Sequence, residues 1–239
     1  MYADDLLLMS ASVSGLQAML DICHAYSQSH AMIFNSKKSS CCQFGDRNFI
    51  ISNMMLGDLE IVWVTSFKYL GVTFISGPKF TIDFQIIKRK FYCAVNSVLS
   101  HCKRNDNLVK LKLVKSFCLP LLTYCLGAFE ASQSKIKDLA VCWNDCFRKI
   151  FGFHRWESVR ELQCFLGDLP FEFIYDIHRW RFLTNRKCVY NSLSFLLDIS
   201  NLQYHYVDQL VNKYGQSGRF TIADRVKCWF QQSFTQYLI

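Results

Sequence analysis

The sequence predicts an α+β chain, with a small antiparallel sheet and one helix near the N-terminus and a mainly helical remainder. Three observations lead there. β-Rich runs at residues 49–52 and 59–64 flank a Gly57-Asp58 turn and precede an alternating run at residues 66–74. Gly77-Pro78 then breaks the β region. From Ile82 onward apolar residues recur at helical spacing. The divisions expected are residues 1–78, 79–167 and 168–239.

Residues 6–10 read as a short buried strand. Ser12 or Ser14 can cap the helix that follows, in which Val13, Leu16, Met19, Leu20 and Cys23 share a face. His24 and His30 lie off that stripe and are expected at the surface. Met32-Ile33-Phe34 reads as a strand entering the polar turn Asn35-Ser36-Lys37-Lys38-Ser39. In residues 66–74, strict alternation puts Phe67, Tyr69, Gly71 and Thr73 on one face and Lys68, Leu70, Val72 and Phe74 on the other. Gly71 is the residue that would let another backbone approach closely.

The helical part opens with a stripe of Ile82, Ile86, Ile87, Phe91, Ala94, Val95, Val98, Leu99 and Cys102. Asn107 is the expected cap of the next helix, and Pro120 is expected to kink it or start a new segment. Ile136, Leu139, Ala140, Trp143, Phe147 and Ile150 mark a helix over residues 134–151 that Gly152 stops. Ser158 with Glu161 forms a capping-box pattern before a helix ending at Gly167. Pro170 opens a long segment to about residue 197, broken near Thr184 and Asn185. Helices over residues 203–214 and 222–238 complete the chain.

Composition narrows the function classes. Apolar residues make up 51% of the chain, enough for a sizeable core. The uncharged runs at residues 6–20 and 116–129 fall short of the ~20 apolar residues a membrane span needs, so no membrane partner is expected. Asp4 and Asp5 stand where a signal peptide carries basic residues. Twelve cysteines without such a leader read as reduced thiols of an intracellular protein, nuclear or cytoplasmic. They do not read as zinc ligands. No C-x₂-C occurs, Cys142-x₃-Cys146 falls within a helical period, and Cys41-Cys42 are adjacent. Residues 79–115 carry 9 Lys/Arg against 2 Asp/Glu, so +7 of the net +8 lies in that segment. A local basic block of this kind points to a polyanion partner.

The sharpest chemistry is at the N-terminus. Tyr2-Ala3-Asp4-Asp5 places two adjacent carboxylates before an apolar run, which is costly unless they share a cation or stay in water. On a turn at a sheet edge such oxygens can reach Mg²⁺. The tetrapeptide resembles the catalytic motif of reverse transcriptases. Asn35-x-x-Lys38 resembles a motif that follows it in that family, although Ala31 stands where many relatives have glycine. Phe67-x-Tyr69-Leu70-Gly71 resembles the family's primer-grip hairpin. The three come in the family's order, roughly thirty residues apart. Trp63, Leu121-Leu122-Thr123-Tyr124, Trp143-Asn144 and Arg148-Lys149-Ile150-Phe151-Gly152 narrow the resemblance to non-LTR (LINE-type) retrotransposon reverse transcriptases. It covers most of residues 1–185 and fades in the last fifty.

The resemblance implies a truncated antiparallel palm sheet with one helix, then a helical thumb, then a C-terminal helical region. It implies Asp4 as a Mg²⁺ ligand with Asp5 in support, and Tyr2 beside the primer terminus. Lys38 would assist the leaving pyrophosphate, and residues 67–72 (Phe67, Lys68, Tyr69, Leu70 and Gly71 foremost) would hold the primer end. The thumb's basic residues, Lys88, Arg89 and Lys90 among them, would track an RNA template paired with a DNA primer. The family's further aspartate and its nucleotide-gripping fingers would lie before Met1. The chain on its own is therefore expected to bind Mg²⁺ weakly, to lack the dNTP site and to be inactive. A non-enzymatic nucleic-acid-binding module and a helical interaction protein are the alternatives.

Overall fold

The computed structural model describes residues 4–45, 53–186 and 202–215, with 224 and 226. Among these residues the architecture is mixed α/β, with two three-stranded sheets and a predominance of helix. Two compact units divide at Met1–Asp83 and Phe84–Ile239. The first unit outruns Pro78 because Thr81–Ile82 still pairs as a strand. The helices on either side of Gly167 belong to a single unit.

In the first unit, helix α1 (Val13–Ser29) begins where the Ser12 hydroxyl accepts from the Gly15 N–H at 3.1 Å. Leu20 is buried from it, with Val13, Leu16 and Cys23 alongside. They cover a sheet of order β1-β3-β2, formed by β1 (Ser40–Cys41), β2 (Met54–Leu56) and β3 (Leu59–Trp63). β2 and β3 form a hairpin over Gly57-Asp58, with Gly57 at φ +62°. A Cβ on Gly57 would lie 2.4 Å from the His24 ring, so glycine is required twice over. His24 is therefore half-buried rather than a surface residue, whereas His30 is exposed. β2 is an edge strand, and Gln17 serves its outward backbone. The Gln17 amide donates to the Met55 carbonyl at 2.8 Å and its oxygen accepts from the Met55 N–H at 2.9 Å.

Three expectations fail here. The sheet is not purely antiparallel: β1 runs parallel to β3, since the hairpin reverses the chain at β2 and returns it beside β1. Residues 6–9 are not a buried strand. Leu6, Leu7 and Met9 are exposed and only Leu8 joins the core, because no strand among the described residues takes up their backbone groups. Met32-Ile33-Phe34 is not a strand either. Ile33 is 96% exposed, and only Phe34 turns inward. The expected strand at residues 49–52 lies outside the described residues.

The second sheet is antiparallel, of order β4-β5-β6, from β4 (Ser66–Tyr69), β5 (Val72–Ile75) and β6 (Thr81–Ile82). It supplies the main candidate site.

The second unit is helical. Helix α2 (Phe84–His101) buries Phe91 and Val95 with Ile87, Ala94, Val98 and Leu99 around them, close to the stripe expected. Ile82 is buried on β6 instead of on this helix. Asp106, not Asn107, caps α3 (Asn107–Leu113), its carboxylate accepting from the Leu108 N–H at 3.0 Å. Pro120 starts a new segment, one of the two outcomes expected, as the second residue of the helix Leu119–Thr123. A π-helical turn at Val114–Cys118 precedes α4 (Leu119–Thr123), and the Leu119 N–H reaches back five residues to the Val114 carbonyl. The widened turn relieves the clash of a proline ring with the preceding carbonyl.

Helix α5 (Gln133–Phe151) buries all six stripe residues and Cys142 and Cys146 besides. Gly152 ends it at φ +76°. α6 (Arg160–Phe165) starts two residues after Ser158, whose hydroxyl accepts from the Arg160 N–H. Pro170 precedes α7 (Phe171–Arg186), giving its carbonyl to the Phe173 N–H at 3.1 Å. α8 spans Leu202–Tyr214. The expected break near Thr184 is not seen within α7, and most of the last expected helix lies outside the described residues. Tyr92 of α2 donates to Asp145 of α5 at 3.0 Å, and buried Tyr175 of α7 accepts from the Ala131 N–H at 3.0 Å. These side-chain bonds join elements far apart in sequence.

Candidate functional site

The Phe67-x-Tyr69-Leu70-Gly71 stretch folds as the first arm and the turn of the β4–β5 hairpin. Tyr69 pairs with Val72, so Leu70 and Gly71 are a two-residue connection. Both have positive φ, +46° and +81°, as in a type I′ turn. Gly71 suits that conformation, whereas Leu70 carries a Cβ penalty in it. The turn also regroups the faces. Phe67 lies opposite Phe74 and Tyr69 opposite Val72, so these four share one face, while Lys68 and Thr73 share the other. Simple alternation through residues 66–74 is thereby overturned. A two-residue turn changes the parity between the strands, so Thr73 joins Lys68 rather than Phe67.

The inner face is aromatic. Phe67 stacks on Phe74 at 5.1 Å between centroids, and Phe80 approaches both Phe74 at 5.1 Å and Phe44 at 4.8 Å. That packing fixes the hairpin from beneath. Lys68 and Leu70 are exposed and Tyr69 is half-buried. The hairpin is thus a braced projection with one cation on its outer face.

Asp4 and Asp5 are both exposed, and Tyr2 lies outside the described residues. Among the described residues no three His, Cys, Asp or Glu side chains gather as a metal site. Two adjacent solvent-facing carboxylates do not by themselves fit a two-metal centre, which needs oxygens bridging both ions. Lys38 closes the 3₁₀ turn Ser36–Lys38, where the Asn35 carbonyl accepts from the Lys38 and Ser39 N–H groups at 3.0 and 3.1 Å. Its side chain is exposed beside a shallow cleft of about 400 Å³ shared with Lys37, Glu60 and Val62.

The basic block resolves into unequal members. Arg89 and Lys90 are exposed on α2. Lys88 is half-buried. Burial pushes the Cys142 thiol up, and the Tyr92 hydroxyl and Lys88 ammonium partly offset this. Lys115, counted by sequence among the cations of the block, is held by buried Asp168. Lys110 donates to Asn107 at 3.2 Å. Burial pushes the Cys146 thiol up to about 12, the wrong direction for a thiolate ligand.

One feature escaped the sequence reading: the turn after α5 presents the exposed rings of His154 and Trp156. Its signal was a pair of basic residues flanked by aromatics in Phe153-His154-Arg155-Trp156. Comparison of the chain with protein families, curated proteins and solved structures finds no match.

Proposed function

We propose that the chain is part of an RNA-directed DNA polymerase of the non-LTR retrotransposon type, running from the acidic motif through the primer grip into the thumb. The observation that carries this is the ordered succession of Tyr2-Ala3-Asp4-Asp5, Asn35-x-x-Lys38 and Phe67-x-Tyr69-Leu70-Gly71. In support, the third motif folds as a braced two-residue hairpin, and a helix with Arg89 and Lys90 exposed follows it. In the intact protein Asp4 and Asp5 belong to the catalytic carboxylate set that holds Mg²⁺, and Lys38 serves the pyrophosphate leaving from the dNTP. The hairpin seats the primer end by backbone approach at its tip, with Lys68 against phosphate. Arg89 and Lys90 contact the backbone of the primer–template duplex without reading its sequence.

The test is photocrosslinking. With benzoylphenylalanine at position 68, a DNA primer annealed to an RNA template should crosslink within the last few nucleotides of the primer. Crosslinks spread evenly over both strands, or none, would refute the grip assignment. Even spread with salt-sensitive binding would favour the non-enzymatic binding module, which the basic block alone supports. The isolated chain should not extend the primer with Mg²⁺ and dNTPs. Extension lost in Asp4→Ala would show that a partner completes the carboxylate set.

A further inference from the structure

Helix α5 ends in a turn that holds its aromatic residues outward. Gly152 and Phe153 both donate to the Arg148 carbonyl, at 2.8 and 3.0 Å. The Arg148 guanidinium donates to the Glu157 carbonyl at 3.1 Å and to Asp145 at 2.8 Å. The Glu157 carboxylate accepts from the His154 N–H, and the Glu157 N–H donates to the His154 carbonyl at 3.1 Å. The backbone from Gly152 to Glu157 is therefore braced at both ends. On it the His154 and Trp156 rings stack, 4.8 Å between centroids and 2° from parallel.

An exposed tryptophan costs the fold apolar contact with water. Trp156 is nonetheless 81% exposed, so with one indole face against the imidazole the other is open to solvent. The charge around it is mixed, with cations in excess. Residues 145–161 carry Arg148, Lys149, Arg155 and Arg160 against Asp145, Glu157 and Glu161, a net +1. Glu157 is engaged within the turn, and the Arg155 side chain is exposed. A pre-ordered flat ring beside an exposed guanidinium is the arrangement that takes an unpaired base: the π-face stacks and the cation meets a phosphate. Because the turn is already ordered, little conformational entropy remains to be lost on binding.

We infer that the His154–Trp156 turn is a stacking platform for an unpaired nucleotide of a single-stranded nucleic acid, a site separate from the grip hairpin and the exposed face of α2. It rests on the reading of the chain as nucleic-acid-binding.

The test measures binding of the full chain to a fluorescein-labelled ten-nucleotide oligo(dA) and to the same strand with abasic sites throughout. Stacking of one base predicts that Trp156→Ala weakens oligo(dA) binding about 5- to 140-fold, from roughly 1–3 kcal/mol per stacked base, with an unchanged salt slope. Trp156→Phe should restore most of it. The abasic strand should bind wild type and Trp156→Ala alike. The exposed ring makes Trp156→Ala a fold-neutral change, to be checked by circular dichroism. If wild type binds oligo(dA) and the abasic strand equally, or Trp156→Ala changes nothing, the platform is overturned. Duplex primer–template binding that persists in that case would leave the polymerase reading standing. Binding of neither strand nor duplex by wild type would overturn both.

Discussion

Replacing Arg89 and Lys90 together with alanine tests the proposed nucleic-acid surface most directly. Each phosphate contact releases about 0.7–0.9 counterion, so loss of two should make the log–log salt slope shallower by about 1.4–1.8. The structure sets the count at two rather than three, because Lys88 is half-buried whereas Arg89 and Lys90 are exposed. Between 50 and 200 mM salt, a slope change of that size shrinks the difference between wild type and variant about 7- to 12-fold. The assay is fluorescence anisotropy of a labelled primer–template at several salt concentrations. Lys88→Ala alone should shift the slope by less than half of what Arg89→Ala does. An unchanged slope in the double variant would remove α2 from the interface. Equal shifts for Lys88 and Arg89 would show that burial of Lys88 does not withhold its charge.

Two further outcomes concern stability. Tyr175→Phe removes the acceptor of the buried Ala131 N–H and should cost about 1–3 kcal/mol, read as a lower urea midpoint at constant m-value; no change would mean that this N–H finds another partner. Leu70→Asn should stabilise the first unit by up to about 1 kcal/mol, because asparagine tolerates φ +46° better than leucine. A lower melting temperature would argue against the type I′ turn or show that the Leu70 side chain packs.

Much of the local structure was legible in the residues. The six-residue stripe of α5, its stop at Gly152, the Ser12 cap and the Gly57-Asp58 turn depend on neighbours within a few positions. Helical spacing, a side-chain cap and a glycine φ preference are all short-range terms, so the chain declares them directly. The order of Asp4-Asp5, Lys38 and the Phe67–Gly71 stretch was likewise plain, and with it the family resemblance.

Tertiary structure decided the rest. Whether residues 6–9 form a strand depends on a pairing partner, which an apolar run does not specify. The face on which Thr73 lies depends on the turn at Leu70-Gly71, since two connecting residues invert the parity that straight alternation assumes. The parallel placement of β1 depends on where the hairpin returns. The charge available for a polyanion depends on partners far along the chain. Lys115 meets Asp168, 53 residues away, and Lys88 is half-buried. Trp156 looks in sequence like any core aromatic, yet bonds from Arg148 and Glu157 hold its turn outward. Periodicity records which residues can share a face; only the packed chain sets what that face meets, because strand pairing, burial and ion pairing act across distances in space that sequence separation does not encode.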